Sequence, residues 1–235
     1  YFSRIVVDPS DDKLLYVLGV SLHRSVNGGK TFTGDAGSGV HADFHDLWVD
    51  PRDGRHMIAG CDGGFYVTWD RGRKWEHLNH LALGQFYHVA IDSRAPYRAY
   101  GGLQDNGSWG APTRSRGGSG VLNEDWINIG GGDGFVCRVD PFDPDIVYSE
   151  SQNGAMSRRD LKTGRSSRIA PRPVAGQRYR FNWNTPYIVS SHNPGIFYAG
   201  GNYVFRSLKR GDDLKAISPE ITATGRGTAT ALGES

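Results

Sequence analysis

A short motif built around an acidic residue, usually followed by proline, recurs at nearly regular intervals along the chain. Taking its Asp or Asn as the marker, the steps between copies are 42, 42, 48 and 53 residues. Steps of this size match β-propeller blades, in which four strands use about 40 to 50 residues. The repeat therefore predicts an all-β fold of four-stranded antiparallel blades. The copies are Val6-Val7-Asp8-Pro9, Trp48-Val49-Asp50-Pro51, Ala90-Ile91-Asp92-Ser93 and Arg138-Val139-Asp140-Pro141, with a looser copy at Ser190-Ser191-His192-Asn193-Pro194.

The expected order of strands is the same within each repeat. A first strand ends at the Asp-Pro turn, because proline cannot continue a helix and restricts the residue before it. A second strand, a Gly-rich turn, a third strand and a fourth follow. We predict about five blades, near residues 1–33, 40–79, 84–129, 131–171 and 178–218. Residues 219–235 would then start a sixth blade, with its inner strand at 228–232, so we expect the chain to be part of a larger propeller.

A second motif joins the expected third and fourth strands of the second blade, at Thr68-Trp69-Asp70-Arg71-Gly72-Arg73-Lys74-Trp75. An Asp side chain accepts hydrogen bonds from backbone groups just after it, and Gly supplies a positive φ, so Asp-x-Gly predicts a tight hairpin turn. A copy with Asn in the acidic position spans residues 25–32, and a third copy with a displaced acid spans 207–214. We expect Trp75 and Phe32 to be buried between blades, where aromatic rings anchor the hairpins.

Composition supports the all-β prediction and excludes several functions. The 235 residues include 33 Gly, 11 Tyr and 6 Trp but only 2 Met, which is rich in turn and strand formers. Lys and Arg total 27 and Asp and Glu 25, without a basic block, so nucleic acid is not an expected partner. The longest strongly apolar stretch, residues 14–20, is too short for a membrane span. Cys61 and Cys137 fall in repeats that are not neighbours, so we expect two free thiols.

The turn motif resembles the Asp-box of sialidase-type and sortilin-type propellers, in which it is structural. Three further stretches resemble hallmark segments of a large bacterial family labelled sortilin-like or "glycosyl hydrolase, BNR repeat" proteins. These are Gly84-Gln85-Phe86-Tyr87-His88-Val89, the stretch 100–108 and Phe181-Asn182-Trp183-Asn184-Thr185-Pro186. Members of that family are typically exported and several times longer than this chain. The resemblance therefore implies a secreted, periplasmic or cell-surface location and further propeller segments in a longer protein.

His41, Asp43 and His45 lie where the first strand of the second blade is expected to begin. Strict strand alternation would place all three side chains on one face. Two imidazoles and a carboxylate on one face can hold a divalent metal. The same three side chains can equally form a hydrogen-bonded polar lining of the channel mouth. We expect them to contact a ligand, and we expect no metal.

Two aspartates in Gly-rich turns are candidate catalytic acids. The stretch Gly60-Cys61-Asp62-Gly63-Gly64 is similar to the Asp-x-Gly-Gly segment that bears one catalytic acid in xyloglucanase-type propellers, but it is one residue shorter. The stretch 130–135, with Asp133, is loosely similar to the segment that bears the other acid. Glycoside hydrolysis needs two carboxyls about 5 to 9 Å apart across a cleft. Asp is also common in Gly-rich turns for backbone reasons alone, so a structural role for both stays open.

Amide and aromatic side chains gather at the expected strand starts and turns of the third and fifth blades. Such residues bind neutral polar ligands through stacking and paired hydrogen bonds. Asn-Gly at residues 106–107 also suits a plain hairpin turn. The candidate ligand-binding residues here are Gln85, Tyr87, Gln104, Asp105, Asn106, Asn182, Trp183 and Asn184.

These patterns favour a binding module over an enzyme. A hydrolase needs one acid kept protonated near neutral pH, whereas stacking and amide hydrogen bonds need no such group. We predict an exported propeller that binds a protein, peptide or glycan partner without a cofactor. The alternative is a glycoside hydrolase, xyloglucanase-like or sialidase-like, that acts on polysaccharide. A sialidase uses a cluster of arginines, one from each of several blades, to grip the carboxylate of its substrate. The sialidase-like form is disfavoured because the arginines of this chain are bunched in one blade, at Arg158, Arg159, Arg165 and Arg168.

Overall fold

The structure is a computed structural model that describes residues 2–34, 36–80, 83–115 and 117–222. In these residues nineteen strands form five antiparallel sheets, and in every sheet sequential strands are neighbours. This strand order confirms the predicted fold class, an all-β propeller segment of antiparallel blades. The chain divides into a first unit that ends at Leu83 and a second unit that begins at Gly84. The inner strand expected at residues 228–232 lies outside the described residues.

The first unit contains two sheets. The first sheet consists of β1 (Ile5–Asp8), β2 (Asp11–Leu18) and β3 (Leu22–Ser25), and the second of β4 (Phe44–Val49), β5 (Met57–Cys61), β6 (Gly64–Thr68) and β7 (Glu76–His77). Within the described part of the chain, the first sheet has three strands instead of the predicted four. Its pairing continues only as a bridge between Arg24 and Thr33. The sequence that follows, residues 33–39, is dominated by Gly and small residues that form strands poorly.

The second unit contains the third, fourth and fifth sheets. The third consists of β8 (Phe86–Ile91), β9 (Arg98–Leu103), β10 (Gly107–Pro112) and β11 (Ile127–Gly130). The fourth consists of β12 (Cys137–Val139), β13 (Ile146–Ser151), β14 (Ala155–Asp160) and β15 (Ser166–Ile169). The fifth consists of β16 (Tyr187–Val189), β17 (Phe197–Gly200), β18 (Val204–Ser207) and β19 (Lys215–Ala216). No helix in the described residues has the length and apolarity needed to cross a membrane.

The recurring aspartates cap the turns between the first and second strands of four sheets. Asp8, Asp50, Asp92 and Asp140 are all buried. Each carboxylate accepts a backbone N–H from the turn that follows, as from Arg52 N to Asp50 Oδ1 at 2.9 Å and from Phe142 N to Asp140 Oδ1 at 2.9 Å. The repeat therefore marks a position where a buried carboxylate holds a tight turn.

The tight turns predicted around Asp70 and around residues 207–214 are each capped by an acid. Asp70 Oδ1 accepts the backbone N–H groups of Arg73 and Lys74, each at 2.9 Å, and the Thr68 hydroxyl at 2.9 Å. In the third copy the capping acid, Asp213, follows the turn instead of preceding it. Its Oδ1 accepts the N–H groups of Leu208 and Lys209, each at 3.0 Å. The displaced acid is thus fully functional as a cap.

Two of these turns also tie neighbouring sheets together. Arg71 and Arg210 occupy the same position in their boxes, and both have a left-handed backbone, with φ of 64° and 55°. Arg71 lies 3.8 Å from Asp8 of the preceding sheet, and Arg210 lies 3.2 Å from Asp140 of its preceding sheet. The buried turn aspartate of one blade is therefore paired with the box arginine of the next.

Each core lies between consecutive sheets of one unit. Tyr16 and Leu22 of the first sheet pack with Phe44 and Met57 of the second, and two further cores join the third, fourth and fifth sheets. Trp75 packs against the first core as expected, although it is only half-buried, and its Nε1 donates to Ala36 O at 2.8 Å.

The expectation for Phe32 is wrong, because its side chain is 44% exposed. It precedes the single bridge at Thr33, so no fourth strand holds the ring against the sheet.

Candidate functional site

Loops from all three sheets of the second unit meet at one end of those sheets. They are the start of β8, the β9–β10 turn, the loop before β12, the short turn Gln152–Gly154 after β13, and the loop before β16. In an antiparallel meander, the start of the first strand and the turn between the second and third strands lie at the same end. We call this surface the second-unit rim, defined as residues 85–88, 104–106, 131–135, 152–154 and 182–185.

Asp133 is a buried member of the rim and holds two of its turns. Its Oδ1 accepts a hydrogen bond from the backbone N–H of Asp105 at 2.6 Å, and its Oδ2 accepts one from Gln152 Nε2 at 3.1 Å. Asp105 has a left-handed backbone with φ of 61°, which its carboxylate-bound N–H helps to fix. Both oxygens of Asp133 are therefore engaged by the protein, as suits a positioning group.

Tyr87 and His88 are the second and third residues of β8, and Tyr87 lies near the Asp133 network. The Tyr87 ring lies 4.7 Å from that of Phe135, in a tilted contact, and is 39% exposed. Burial first, and then the negative charges of Asp133 and Asp105, raise the pKa of Tyr87, so its hydroxyl keeps its proton at neutral pH. Asn184 Nδ2 donates to His88 Nε2 at 3.2 Å, which joins the third sheet to the loop of the fifth.

The loop that carries Asn182, Trp183 and Asn184 is anchored from below. Asn153 N donates to Trp183 O at 3.2 Å, and Thr185 Oγ1 donates to Asn182 O at 3.0 Å. These bonds fix the backbone, while the Trp183 ring remains 43% exposed and the two amide side chains are exposed. The loop thus offers one aromatic face and two amides to a ligand.

Glu150, at the end of β13, supports the same loop and was not predicted from the sequence. Its residue is 1% exposed, and Oε1 accepts the backbone N–H of Thr185 at 2.9 Å. Burial raises the pKa of Glu150 to about 7, against the opposing effect of the Thr185 hydrogen bonds. Strand alternation could have indicated its burial, because Glu150 shares one face of the strand with the side chains of Ile146 and Tyr148.

The predicted residues of the first unit gather around the β5–β6 turn. His45 Nε2 lies 2.5 Å from Asp62 Oδ1, and the side chain of Asp62 is 15% exposed. His41 Nδ1 lies 3.1 Å from Ala42 O. A Cβ on Gly63 would lie 2.4 Å from the Cβ of His41, and Gly64 has φ of 106°. Gly63 is thus required by the close approach of His41, and Gly64 by its positive φ.

Strict alternation through His41, Asp43 and His45 is wrong. Strand β4 begins only at Phe44, Asp43 has a left-handed φ of 66°, and the pairing slips between Phe44 and Asp46. A bulge of this kind breaks the two-residue period, so His45 and Asp46 are both exposed. In the part of the chain that is described, no group of three or more His, Cys, Asp or Glu side chains is arranged to hold a metal.

The structure brings together the predicted residues of the second unit. Tyr87, Asp105 and Asp133 form one network, and Asn184 reaches His88 beside it. Gln104 N donates to Gln85 O at 3.0 Å, which places those two segments side by side, and Asn106 O accepts Trp109 Nε1 at 2.7 Å. The two candidate acids are divided, since Asp62 belongs to the first unit and Asp133 to the second.

The sequence matches no protein-family profile, and no curated protein is significantly similar to it. Among solved structures, the chain is similar to the GH74 xyloglucanase from Xanthomonas campestris, at 19% identity and a TM-score of 0.41, covering 92% of this chain and 38% of that one. It is similar to the GH74 enzyme of Niastella koreensis, at 16% identity and a TM-score of 0.40, covering 92% and 38%. It is also similar to YCF48 bound to D1 peptide, at 10% identity and a TM-score of 0.39, covering 87% and 64%.

The chain thus spans 38% of the length of the two GH74 structures. At these identities and TM-scores, neither substrates nor partners carry over to this protein. The fold is assigned from the strand order and the hydrogen-bonded turns of the chain itself.

Proposed function

We propose that the second-unit rim is a binding site for a neutral polar ligand, a peptide segment or a glycan. The observation that supports this most is the fixed convergence of loops from three sheets, through the Asp133 and Asn184 hydrogen bonds. A framework held in this way presents its exposed groups without a large ordering cost on binding.

The exposed groups fit the chemistry of such a ligand. Trp183 and Tyr87 are 43% and 39% exposed, and an indole or phenol face stacks on sugar rings or peptide planes. Asn182 and Gln104 carry amides, each with two donors and an acceptor for hydroxyl or peptide groups. Asn184 gives one donor to His88 and has a second donor and an acceptor. Both oxygens of Asp133 accept hydrogen bonds from the protein, so binding at the rim needs no acid chemistry.

A second candidate function is glycoside hydrolysis, which is supported by one contact. Asp62 is partly exposed and lies 2.5 Å from the imidazole of His45, an arrangement that can move a proton. The proposed partner acid, Asp133, has both oxygens engaged by the protein. These contacts favour binding over catalysis.

A panel of glycans and neutral peptides tests the binding proposal with the full chain. We expect saturable binding to a member of the panel, and at least a tenfold loss of affinity in the double variant Trp183→Ala, Asn184→Ala. The matched control is Phe142→Ala, because Phe142 is an exposed aromatic at the opposite end of the fourth sheet. Equal loss in the control and the rim variant would contradict the proposal.

An activity screen separates the two candidates. The substrates are β-glucans, xyloglucan and sialosides, with the double variant Asp62→Asn, Asp133→Asn as the comparison. Turnover that disappears in this variant would establish hydrolysis, whereas ligand binding without turnover in either protein supports a binding module.

We further propose that the protein acts outside the cytoplasm, as part of a longer propeller. The resemblance of residues 84–89 and 181–186 to exported bacterial proteins supports this. Fractionation of cells that express the full-length gene tests it: recovery only from the cytoplasm would contradict it.

A further inference from the structure

A groove of about 590 Å³ lies between the fourth and fifth sheets, at the end opposite to the second-unit rim. It is placed there by the start of β13, the β14–β15 turn and the Asp-box that follows β18, whereas the rim lies at the end of β13. Its charged lining residues are Arg158, Asp160, Arg165, Lys209, Arg210 and Asp212. We call it the basic groove.

Both acids of the basic groove already accept hydrogen bonds from the protein. Arg158 donates to Asp212 Oδ2 at 3.1 Å. Asp160 Oδ1 accepts the backbone N–H groups of Lys162 and Thr163 at 2.8 and 3.1 Å, and these bonds lower the pKa of its carboxyl. Asp212 is therefore paired with a cation, whereas Asp160 stays ionised and its charge is stabilised by backbone N–H groups.

Two of the four cations are also committed. Arg158 Nη1 donates to Arg210 O at 2.7 Å, and Arg210 pairs with the buried Asp140 at 3.2 Å. Among the described residues, the side chains of Arg165 and Lys209 have no ion pair. The groove therefore presents two uncompensated cations, one from each sheet.

Local structure fixes the backbone that carries these two cations. Arg165 follows the Asp160 turn, whose backbone bonds hold the chain. Lys209 lies within the third Asp-box, where its N–H donates both to Ser207 Oγ and to Asp213 Oδ1 at 3.0 Å. The rigid Arg158, with its side chain 18% exposed, forms the wall between them.

We propose that the basic groove binds an oxyanion group, a sulfate, phosphate or carboxylate, between Arg165 and Lys209. A guanidinium fork grips two oxygens of such a group, and an ammonium adds a point charge. This site goes beyond the proposed function, since it lies at the other end of the sheets and selects charge instead of neutral polarity. It also gives a role to two of the bunched arginines of the fourth sheet, Arg158 and Arg165.

Isothermal titration of the full chain at low salt tests the proposal, with four probes: inorganic sulfate, inorganic phosphate, polygalacturonate and a sulfated oligosaccharide. We expect saturable binding of at least one, weakened by added salt. The probe that binds most tightly identifies the source of the group, a small ion or a polymer. Absence of saturable binding for all four would overturn the proposal.

The variants locate the site. Arg165→Gln with Lys209→Gln is expected to lose at least tenfold in affinity, whereas the charge-matched control Arg172→Gln with Lys215→Gln changes affinity less than twofold. Equal losses in both pairs would show adventitious attraction by net charge only and contradict the site. Hydrogen exchange on the unmodified protein, with protection by the bound probe expected in residues 158–167 and 195–212, keeps the test valid if a variant folds poorly.

Discussion

The replacement of Glu150 by Gln tests the support of the rim loop through the stability of the protein. Glu150 is 1% exposed, and its Oε1 accepts the backbone N–H of Thr185 at 2.9 Å. Among the described residues, Oε2 is buried without a hydrogen-bond partner. Gln keeps the shape and the acceptor oxygen, but it has no charge to bury.

The magnitude follows from the raised pKa. Burial moves the pKa of Glu150 from its ordinary 4.5 to about 7 in the folded protein. Because a tenfold change in an ionisation constant corresponds to about 1.4 kcal/mol, ionised Glu150 costs folding about 3 kcal/mol above pH 7. Between pH 4.5 and 7 the folded state binds the proton that the unfolded state has lost. The contribution of Glu150 to stability is therefore present below pH 4.5 and is lost as pH rises to about 7.

Neighbouring groups do not titrate in this range. Glu150 interacts electrostatically with Cys137 of β12 and Tyr187 of β16. Burial raises the pKa of Cys137 to about 11 and raises that of Tyr187 as well, so both are neutral from pH 4 to 8. The change in stability over this range, wild type minus variant, thus reports Glu150 alone.

The assay is urea unfolding followed by tryptophan fluorescence at pH 4.5, 6, 7 and 8. We expect the difference in unfolding free energy between wild type and Glu150→Gln to shift by about 3 kcal/mol across this range, in favour of Gln at high pH. Glu124→Gln, at an exposed carboxyl, is the matched control and should show no such trend. Parallel curves for wild type and Glu150→Gln would refute the reasoning.

Three further substitutions test the fold by the same unfolding assay. Asp213→Ala should cost about 1 to 2 kcal/mol, since it removes the cap of the third Asp-box; an unchanged midpoint would show that the displaced acid does not cap the turn. Trp75→Ala should cost about 2 to 3 kcal/mol, less than a fully buried ring, because Trp75 is half-buried with one indole bond; a loss below about 1 kcal/mol would contradict its anchoring role. Tyr148→Phe should be neutral or stabilising by up to about 1 kcal/mol, because the buried hydroxyl has no partner among the described residues; a clear loss would reveal a bridging group.

Local signals predicted the fold because the groups that make them are close in sequence. The buried aspartates and the Asp-boxes satisfy backbone groups within a few residues, as Asp50 and Asp70 do. These motifs therefore predicted the turns, and their regular spacing predicted the repeat. The proximity of the candidate ligand residues of the second unit was predictable as well, because the strand starts and turns of a meander lie at one end of the sheet.

What the sequence did not predict depends on contacts between distant segments. The bulge at Phe44 breaks an alternation that looked regular, and nothing local requires it. The role of Glu150 depends on Thr185, which is 35 residues away. The exposure of Phe32 follows from a fourth strand that reduces to one bridge, which depends on how the chain after Thr33 pairs.

Hydrogen exchange on the full chain, with and without the peptide or glycan that binds in the panel, tests the central claim most directly. Binding at the second-unit rim predicts slower exchange in residues 85–88, 104–106, 131–135, 152–154 and 182–185. It predicts unchanged exchange at the basic groove, in residues 158–167. Protection confined to the groove or to the first unit, or the absence of any bound member of the panel, would contradict the claim.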